Sequence, residues 1–248
     1  MTFAVTVLGS SAMFATPERA CSGYLLELGG LRVWLDAGAG TWRNLIQHVD
    51  FADLDGIILS HRHPDHVTDV FQAFHARHYG GPVPMASIPV WAPAETIERI
   101  TGYYRELDQG FNVRAISEGE TAEEWGATVS FVRMAHPPET LGVRVEFDGS
   151  ALAYSADSGE EADFDRLAGD ADVFLCEATF QDSDEPWFGH LSAAQAARVG
   201  SRVKAKKVVL THLPPGRDFG LSLAEAQREA EDLDVQLAAD GLRLELSA

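Results

Sequence analysis

Residues 60–66 read Ser60-His61-Arg62-His63-Pro64-Asp65-His66, which puts three imidazoles and a carboxylate within six residues. The group follows an apolar run at 56–59 and precedes a helical pattern. Packing has no use for so many titratable groups, because burying them is costly unless something pairs them. Neutral imidazole with carboxylate suits zinc, manganese or iron. A single catalytic metal needs only three protein ligands and an open position. Four candidates in one loop, with more downstream, point to two metals. The downstream candidates are His136, Asp157 and His212, each placed where an apolar run ends. One strand-end histidine alone is ordinarily a surface or capping residue. Three such positions after a dense first motif form a set. His48, His75 and His78 lie in helical stretches and are read as non-ligands.

The elements that must hold these groups are set by periodicity. Short β-branched runs at 3–8, 24–28, 31–35 and 56–59 predict strands, and 42–49 and 67–78 predict helices. Pro93 reads as the N1 proline of a helix reaching about residue 107. A second set of strands is expected at 129–134, 141–147 and 151–155, with further strands at 172–176 and 207–211. Helices are expected at 192–202 and 222–233, with Ser192 and Ser222 as N-caps. Strands early and again late, with helices between, predict an α/β protein of sheets covered by helices. Periodicity is equally consistent with one sheet and with two.

The chain has 248 residues, 46% of them hydrophobic, enough for a sizeable core. No apolar run approaches the roughly 18 residues of a membrane span. The N-terminus reads at once as strand and turn and has no basic leader pattern, so a cytoplasmic protein is expected. Cys21 and Cys176 are far apart and fit two reduced thiols. Against 38 acidic residues stand 19 basic ones, a net charge of −19. Such a balance opposes a long polyanion, whose binding depends on Lys and Arg neutralising phosphates.

The set H-x-H-x-D-H, then His136, Asp157 and His212, resembles the metal-binding motifs of the metallo-β-lactamase superfamily. Asp36-Ala37-Gly38-Ala39-Gly40 looks like its early D-x-G-x-G turn. The resemblance runs from about residue 3 to about residue 215. It implies a four-layer αβ/βα sandwich, here one hydrolase domain over 1–248. It also implies His61, His63 and His136 on one metal, Asp65, His66 and His212 on a second, and Asp157 bridging. Two cations lower the pKa of a bridging water and give hydroxide near neutral pH.

Within the superfamily, Cys176-Glu177-Ala178-Thr179-Phe180 and Gly189-His190-Leu191-Ser192 resemble ribonuclease Z and its phosphodiesterase relatives. The resemblance implies that Glu177 and His190 match that branch's catalytic carboxylate and imidazole; Cys176 departs from a frequent histidine there. A carboxylate holds an imidazole in one tautomer and raises its basicity. His190 can then stabilise phosphoryl charge and protonate the leaving oxygen. Asp65, His190 and Glu177 are therefore the expected catalytic side chains. The loop 9–23 resembles the Gly/Ser-rich loop of the same branch, with Ser11, Arg19 and Ser22 as candidate substrate contacts. Full-length ribonuclease Z carries a tRNA-gripping arm between the motifs matching His136 and Asp157. Here Asp157 follows His136 by 21 positions, which leaves no room for one, and the three lysines cluster at Lys204, Lys206 and Lys207.

The whole chain looks most like small, armless bacterial members of this branch that include cyclic-nucleotide phosphodiesterases, and that resemblance implies hydrolysis of a small, cyclic-nucleotide-like phosphodiester by metal-bound hydroxide. Zinc is the expected metal, with manganese or iron as alternatives. Nucleic acid and membrane are not expected partners, and a homodimer is. The competing readings are a ribonuclease Z-type RNA 3′-processing endonuclease, a thioester or lactone hydrolase, and a non-catalytic binding protein on the same fold.

Overall fold

The computed structural model describes residues 1–246. In chain order its first half runs β1 (Phe3–Gly9), β2 (Gly23–Leu28), β3 (Leu31–Leu35), α1 (Thr41–Leu45), β4 (Gly56–Ile58), α2 (Pro64–Val67), α3 (Val70–Tyr79), β5 (Ile88–Pro93), α4 (Ala94–Tyr103) and β6 (Phe111–Ile116). The second half runs β7 (Thr121–Glu124), β8 (Ala127–Arg133), β9 (Leu141–Phe147), β10 (Ser150–Tyr154), α5 (Phe164–Ala168), β11 (Val173–Glu177), α6 (Ala193–Arg202), β12 (Lys207–Thr211), α7 (Phe219–Glu229), β13 (Asp234–Leu237) and β14 (Arg243–Leu246). The chain divides into two compact units, Met1–Ser117 with Ala239–Glu245, and a second beginning at Glu118 and running to Ala238.

The first unit is built on a seven-stranded sheet of order β14-β1-β2-β3-β4-β5-β6. Strands β1 to β3 form an antiparallel meander, and β3 to β6 are parallel neighbours. Leu25, Trp34, Ile57 and Val90, one from each of four adjacent strands, share a buried cluster with Val70 and Phe74 of α3 and Ile100 of α4. The second unit is built on another seven-stranded sheet, of order β13-β12-β11-β10-β9-β8-β7. Here β10 to β13 are parallel and β7 to β10 antiparallel. Alternate residues Phe174, Cys176, Val208 and Leu210 pack with Leu167 of α5 and with Ala193, Ala196 and Ala197 of α6. Small α6 residues allow close approach: a Cβ at Gly200 would meet Val208 at 2.3 Å. The α/β class expected from the sequence, with sheets and covering helices, is what the structure has.

Several boundaries differ from the sequence reading. The helix expected at 67–78 is two, broken at Thr68-Asp69, where the Asp69 carboxylate accepts from the backbone N–H of Gly40 and Trp42 at 2.8 and 2.9 Å. Pro93 is the last residue of β5 and caps α4 instead of opening it as N1. Ser192 caps α6 in a full capping box with Gln195, as expected. α7 starts earlier than expected: Asp218 is its cap, taking the N–H of Gly220 and Leu221, and Ser222 lies buried inside the helix. Strands β5, β6, β7, β13 and β14 and helix α5 have no counterpart in the sequence reading. Among the described residues no helix is long and apolar enough to cross a membrane.

Both cysteines are free and buried. Burial pushes the Cys21 thiol up to about 12 and the Cys176 thiol well above its ordinary range. The thiolate is the reactive form. Native protein at pH 8 is therefore expected to release almost no thiol to Ellman's reagent, and two equivalents after denaturation. Rapid native reaction of either cysteine would contradict this burial.

Candidate metal centre

Each candidate ligand lies beyond the carboxyl end of a strand, and the route to the first-unit group begins at Asp36. This residue follows β3 at φ 56°, a left-handed turn that a non-glycine residue rarely adopts. Its carboxylate is fully buried. Oδ1 accepts from the Ser60 N–H at 2.7 Å, and Oδ2 accepts from the Ser60 hydroxyl at 2.7 Å. His66 Nδ1 lies 2.7 Å from Oδ2. A carboxylate only accepts, so Nδ1 carries the His66 proton and Nε2 the lone pair. The Ser60 hydroxyl has spent its one proton on Asp36. Its oxygen therefore accepts from His61 Nδ1 at 3.0 Å, which fixes the same tautomer there.

One buried carboxylate thus aims two imidazoles. The His61 ring centroid lies 4.8 Å from that of His63 and 4.2 Å from that of His66. Asp65 Oδ2 accepts from the Met13 N–H at 2.8 Å and stands 3.9 Å from His66 Nε2. Gly38 makes room for this loop: a Cβ there would lie 2.1 Å from the Asp65 carbonyl oxygen.

In the second unit β10, β11 and β12 run parallel, so their carboxyl ends deliver Asp157, Glu177 and His212 to one edge. Ala156 at φ 50° and His212 at φ 54° turn the chain sharply there. His136 lies beyond β8 and donates Nδ1–H to the Gly189 carbonyl at 2.8 Å, so its Nε2 also holds the lone pair. Burial, opposed by the Asp157 charge, lowers the His136 pKa and keeps the ring neutral. His212 Nδ1 is 3.0 Å from the Thr179 hydroxyl.

Asp157 reaches both rings. Oδ2 is 3.8 Å from His136 Nε2, and Oδ1 is 3.4 Å from His212 Nε2. At His136 a lone pair faces a carboxylate oxygen with no proton between them. Two atoms each bound at about 2.1 Å to one tetrahedral ion would stand about 3.4 Å apart. The donor set therefore fits divalent cations, and the His and Asp side chains form a cluster able to bind metal.

Glu177 ends β11, fully buried. Oε1 accepts from the Ser158 N–H at 2.8 Å and from His190 Nδ1 at 2.7 Å; Oε2 accepts from the N–H of Thr179 and of Leu191, both at 3.2 Å. Four donors immobilise this carboxylate, and it in turn orients His190. Asp157, His190 and His212 each offer a ligand-type atom within 4.8 Å of the others, so His190 adjoins the candidate ligands.

Of the substrate-loop candidates, Ser11 and Arg19 bond within the loop itself. The buried Ser11 hydroxyl donates to the Phe14 carbonyl at 2.9 Å, and Ser22 is fully buried. Arg19 Nη1 donates to the Ser10 hydroxyl at 3.0 Å, beside Asp240, which partly offsets the burial that lowers the Arg19 pKa. Two residues carry more than the sequence reading gives them. Asp36 reads only as part of a turn, and Thr179 only as part of a motif. Asp36 shares the signature of Asp157, a carboxylate close after an apolar strand, and that signal could have raised it.

A family model described as a β-lactamase superfamily domain matches residues 13–213. The chain belongs to the metallo-β-lactamase superfamily. It is 34% identical over 240 residues to an uncharacterised protein of Mycobacterium leprae, covering 92% of this chain and 84% of that one. It is 28% identical over 245 residues to the probable metallo-hydrolase YhfI of Bacillus subtilis, covering 96% and 97%. To ribonuclease Z of Bradyrhizobium diazoefficiens it is 28% identical over 286 residues, covering 91% and 94%. Among solved structures, YhfI superposes with a TM-score of 0.90 at 24% identity, covering 99% of this chain and all of that one. A diphosphatase of the PhnP family gives 0.77 at 23% identity, covering 99% and 98%. Yeast PDE1 gives 0.77 at 14%, covering 100% and 99%. These likenesses establish the fold, and the chain is a hydrolase of this superfamily.

Partners that orient a ligating histidine typically contribute 10- to 100-fold in metal affinity. Asp36→Asn keeps the shape but replaces an acceptor oxygen with a donor, against Ser60 or His66. We expect zinc affinity to fall by about 10- to 100-fold, measured by chelator competition, with the circular dichroism spectrum retained. Unchanged affinity would remove Asp36 from the centre.

Proposed function

We propose that this protein hydrolyses a small phosphodiester as one hydrolase domain over 1–248, with two divalent cations, zinc or alternatively manganese or iron. The proposed ligands are those the sequence resemblance implies: His61, His63, Asp65, His66, His136, Asp157 and His212. Bound to them, the cations would polarise phosphoryl oxygens and activate water at neutral pH.

The observation that carries the phosphodiester reading is the Glu177–His190 pair. A ligand set alone serves lactams, thioesters and phosphates equally. A buried carboxylate locked by three backbone N–H groups and holding one imidazole is an added device for proton transfer. With Nδ1 engaged on Glu177 at 2.7 Å, His190 presents Nε2 to the substrate. Protonated there, it delivers a proton to the departing alkoxide, as a phosphodiester requires. Asp65, held by the Met13 N–H, serves as ligand and as the carboxylate that orients water.

Charge favours a small substrate. With 19 basic against 38 acidic residues, a polyanion is repelled at long range, most strongly at low salt. The His136–Asp157 interval is filled by β9, a turn at Asp148-Gly149 and β10. RNA is the second reading, favoured by the similarity to ribonuclease Z. We place the protein in the cytoplasm, where reduced cysteines persist, and expect a homodimer, to be checked by sedimentation.

The test is a metal-reconstituted screen of cyclic mononucleotides, bis(p-nitrophenyl) phosphate, a pre-tRNA and a thioester. Turnover of a small phosphodiester with weak or absent pre-tRNA cleavage is expected. Efficient 3′ cleavage of pre-tRNA with no activity on any small diester would promote the RNA reading.

In the same assay His190→Ala should keep its metal and lose about 10²- to 10⁴-fold in turnover. Metal loss in that variant would make His190 a ligand and not the acid.

A further inference from the structure

Beside His190 lies a pair of aromatic rings that neither binds metal nor moves a proton. The loop 185–190 reads Glu185-Pro186-Trp187-Phe188-Gly189-His190. Trp187 is 41% exposed and Phe188 66% exposed, while Phe131, Tyr154, Phe164 and Phe174 of the same unit are fully buried. The Trp187 and Phe188 ring centroids lie 4.9 Å apart. Trp187 stands edge-on to His136 at 5.7 Å and 5.2 Å from His190.

Exposed aromatics on a floppy loop would mean little, but this loop is held on both sides of the two rings. The Gly189 carbonyl accepts from His136 Nδ1 at 2.8 Å, and the His190 N–H returns to the Trp187 carbonyl at 3.2 Å. The indole lies over Gly189 so closely that a Cβ there would meet the ring at 2.3 Å. The Phe188 carbonyl presses on Gly159, where a Cβ would lie 1.8 Å away. Upstream, Asp184 is paired with Arg217 at 2.8 Å. Two glycines are thus given up to hold two apolar rings in water, rigidly, next to the proposed acid.

We infer that Trp187 and Phe188 form a stacking platform for the base of a nucleotide substrate. The inference rests on the phosphodiester reading and narrows it to diesters that carry a nucleobase. Every base has a π-face, so stacking accepts any of them without hydrogen-bond readout. It also suits this acidic chain, because the base is the uncharged part of the ligand and feels no repulsion. A ring stacked on Trp187 sits beside His190, so the phosphodiester attached to it is delivered to the proton donor. The pair therefore sets specificity, and neither ring takes part in bond making.

Calorimetry on the zinc-reconstituted protein tests this without turnover, using adenosine 5′-monophosphate and ribose 5-phosphate, which differ only in the base. We expect the nucleotide to bind about ten- to a hundredfold more tightly, the range that stacking of one base supplies. In the Trp187→Ala/Phe188→Ala double variant the ratio should fall to within about threefold, with ribose 5-phosphate unchanged. Trp187→Phe should restore part of it. Equal affinities in the wild type, binding of neither probe, or a ratio that survives the double substitution would overturn the inference. So would a shift of the double variant from dimer to monomer with the ratio intact, which would give the patch to a second copy. Hydrolysis of bis(p-nitrophenyl) phosphate is scored separately. Turnover without base discrimination removes the platform and leaves the phosphodiesterase; discrimination without turnover does the reverse.

Discussion

A neutral imidazole has one proton and one lone pair, and what touches one nitrogen decides what the other can do. The site is organised around that constraint. Asp36 takes Nδ1 of His66, Ser60 takes Nδ1 of His61, and the Gly189 carbonyl takes Nδ1 of His136. Each contact leaves the Nε2 lone pair free to face a cation. At His190 the same kind of contact is made by Glu177 at 2.7 Å, and in the proposed reaction it serves proton transfer. In the proposed reading, similar side chains divide into ligand and acid by their place in the fold. In the first unit these contacts converge on Asp36, whose single buried carboxylate sets the Ser60 backbone, the Ser60 hydroxyl and His66 together. Removing its charge would release two rings at once.

The backbone meets this demand by bending sharply where strands end. Asp36, Ala156 and His212 take positive φ values of 56°, 50° and 54°, each immediately or two residues after a strand. Non-glycine residues adopt that region at a cost of order 1–3 kcal/mol each. Parallel ladders behind them are buried and rigid enough to sustain it: every residue of β10 and β11 is buried. Strand register places the carboxyl ends, and the turns aim the side chains beyond them.

What was legible in the sequence was what is local. H-x-H-x-D-H is contiguous, and the chemistry of its residue types names a metal without any fold. His136, Asp157 and His212 were legible because each ends a strongly apolar run. Asp36 shows the same strand-end signature, but its role is not legible, because its partners lie 24 and 30 positions away and no pattern in the chain encodes that contact. The α7 start was misplaced because Ser222 and Asp218 are both good caps, and burial against Gln181 decided between them. Strands β7, β13 and β14 are short and largely polar or half-exposed, so they carry little hydrophobic signal. The platform at Trp187 was missed for another reason: two aromatics in a sequence read as core until their exposure is known.

The turn between β9 and β10 joins them through Asp148 and Gly149, both at positive φ. It sits at the amino end of β10, whereas Asp157 lies beyond the carboxyl end of that strand. Lengthening a surface turn is entropically cheap, about 0.6 kcal/mol for each doubling. The strand between the turn and Asp157 acts as a spacer, so a segment grafted at the tip leaves the register at Asp157 undisturbed. Turn length and the geometry around Asp157 are therefore free to vary at opposite ends of the same strand, and a long excursion can be gained or lost there through changes confined to one turn.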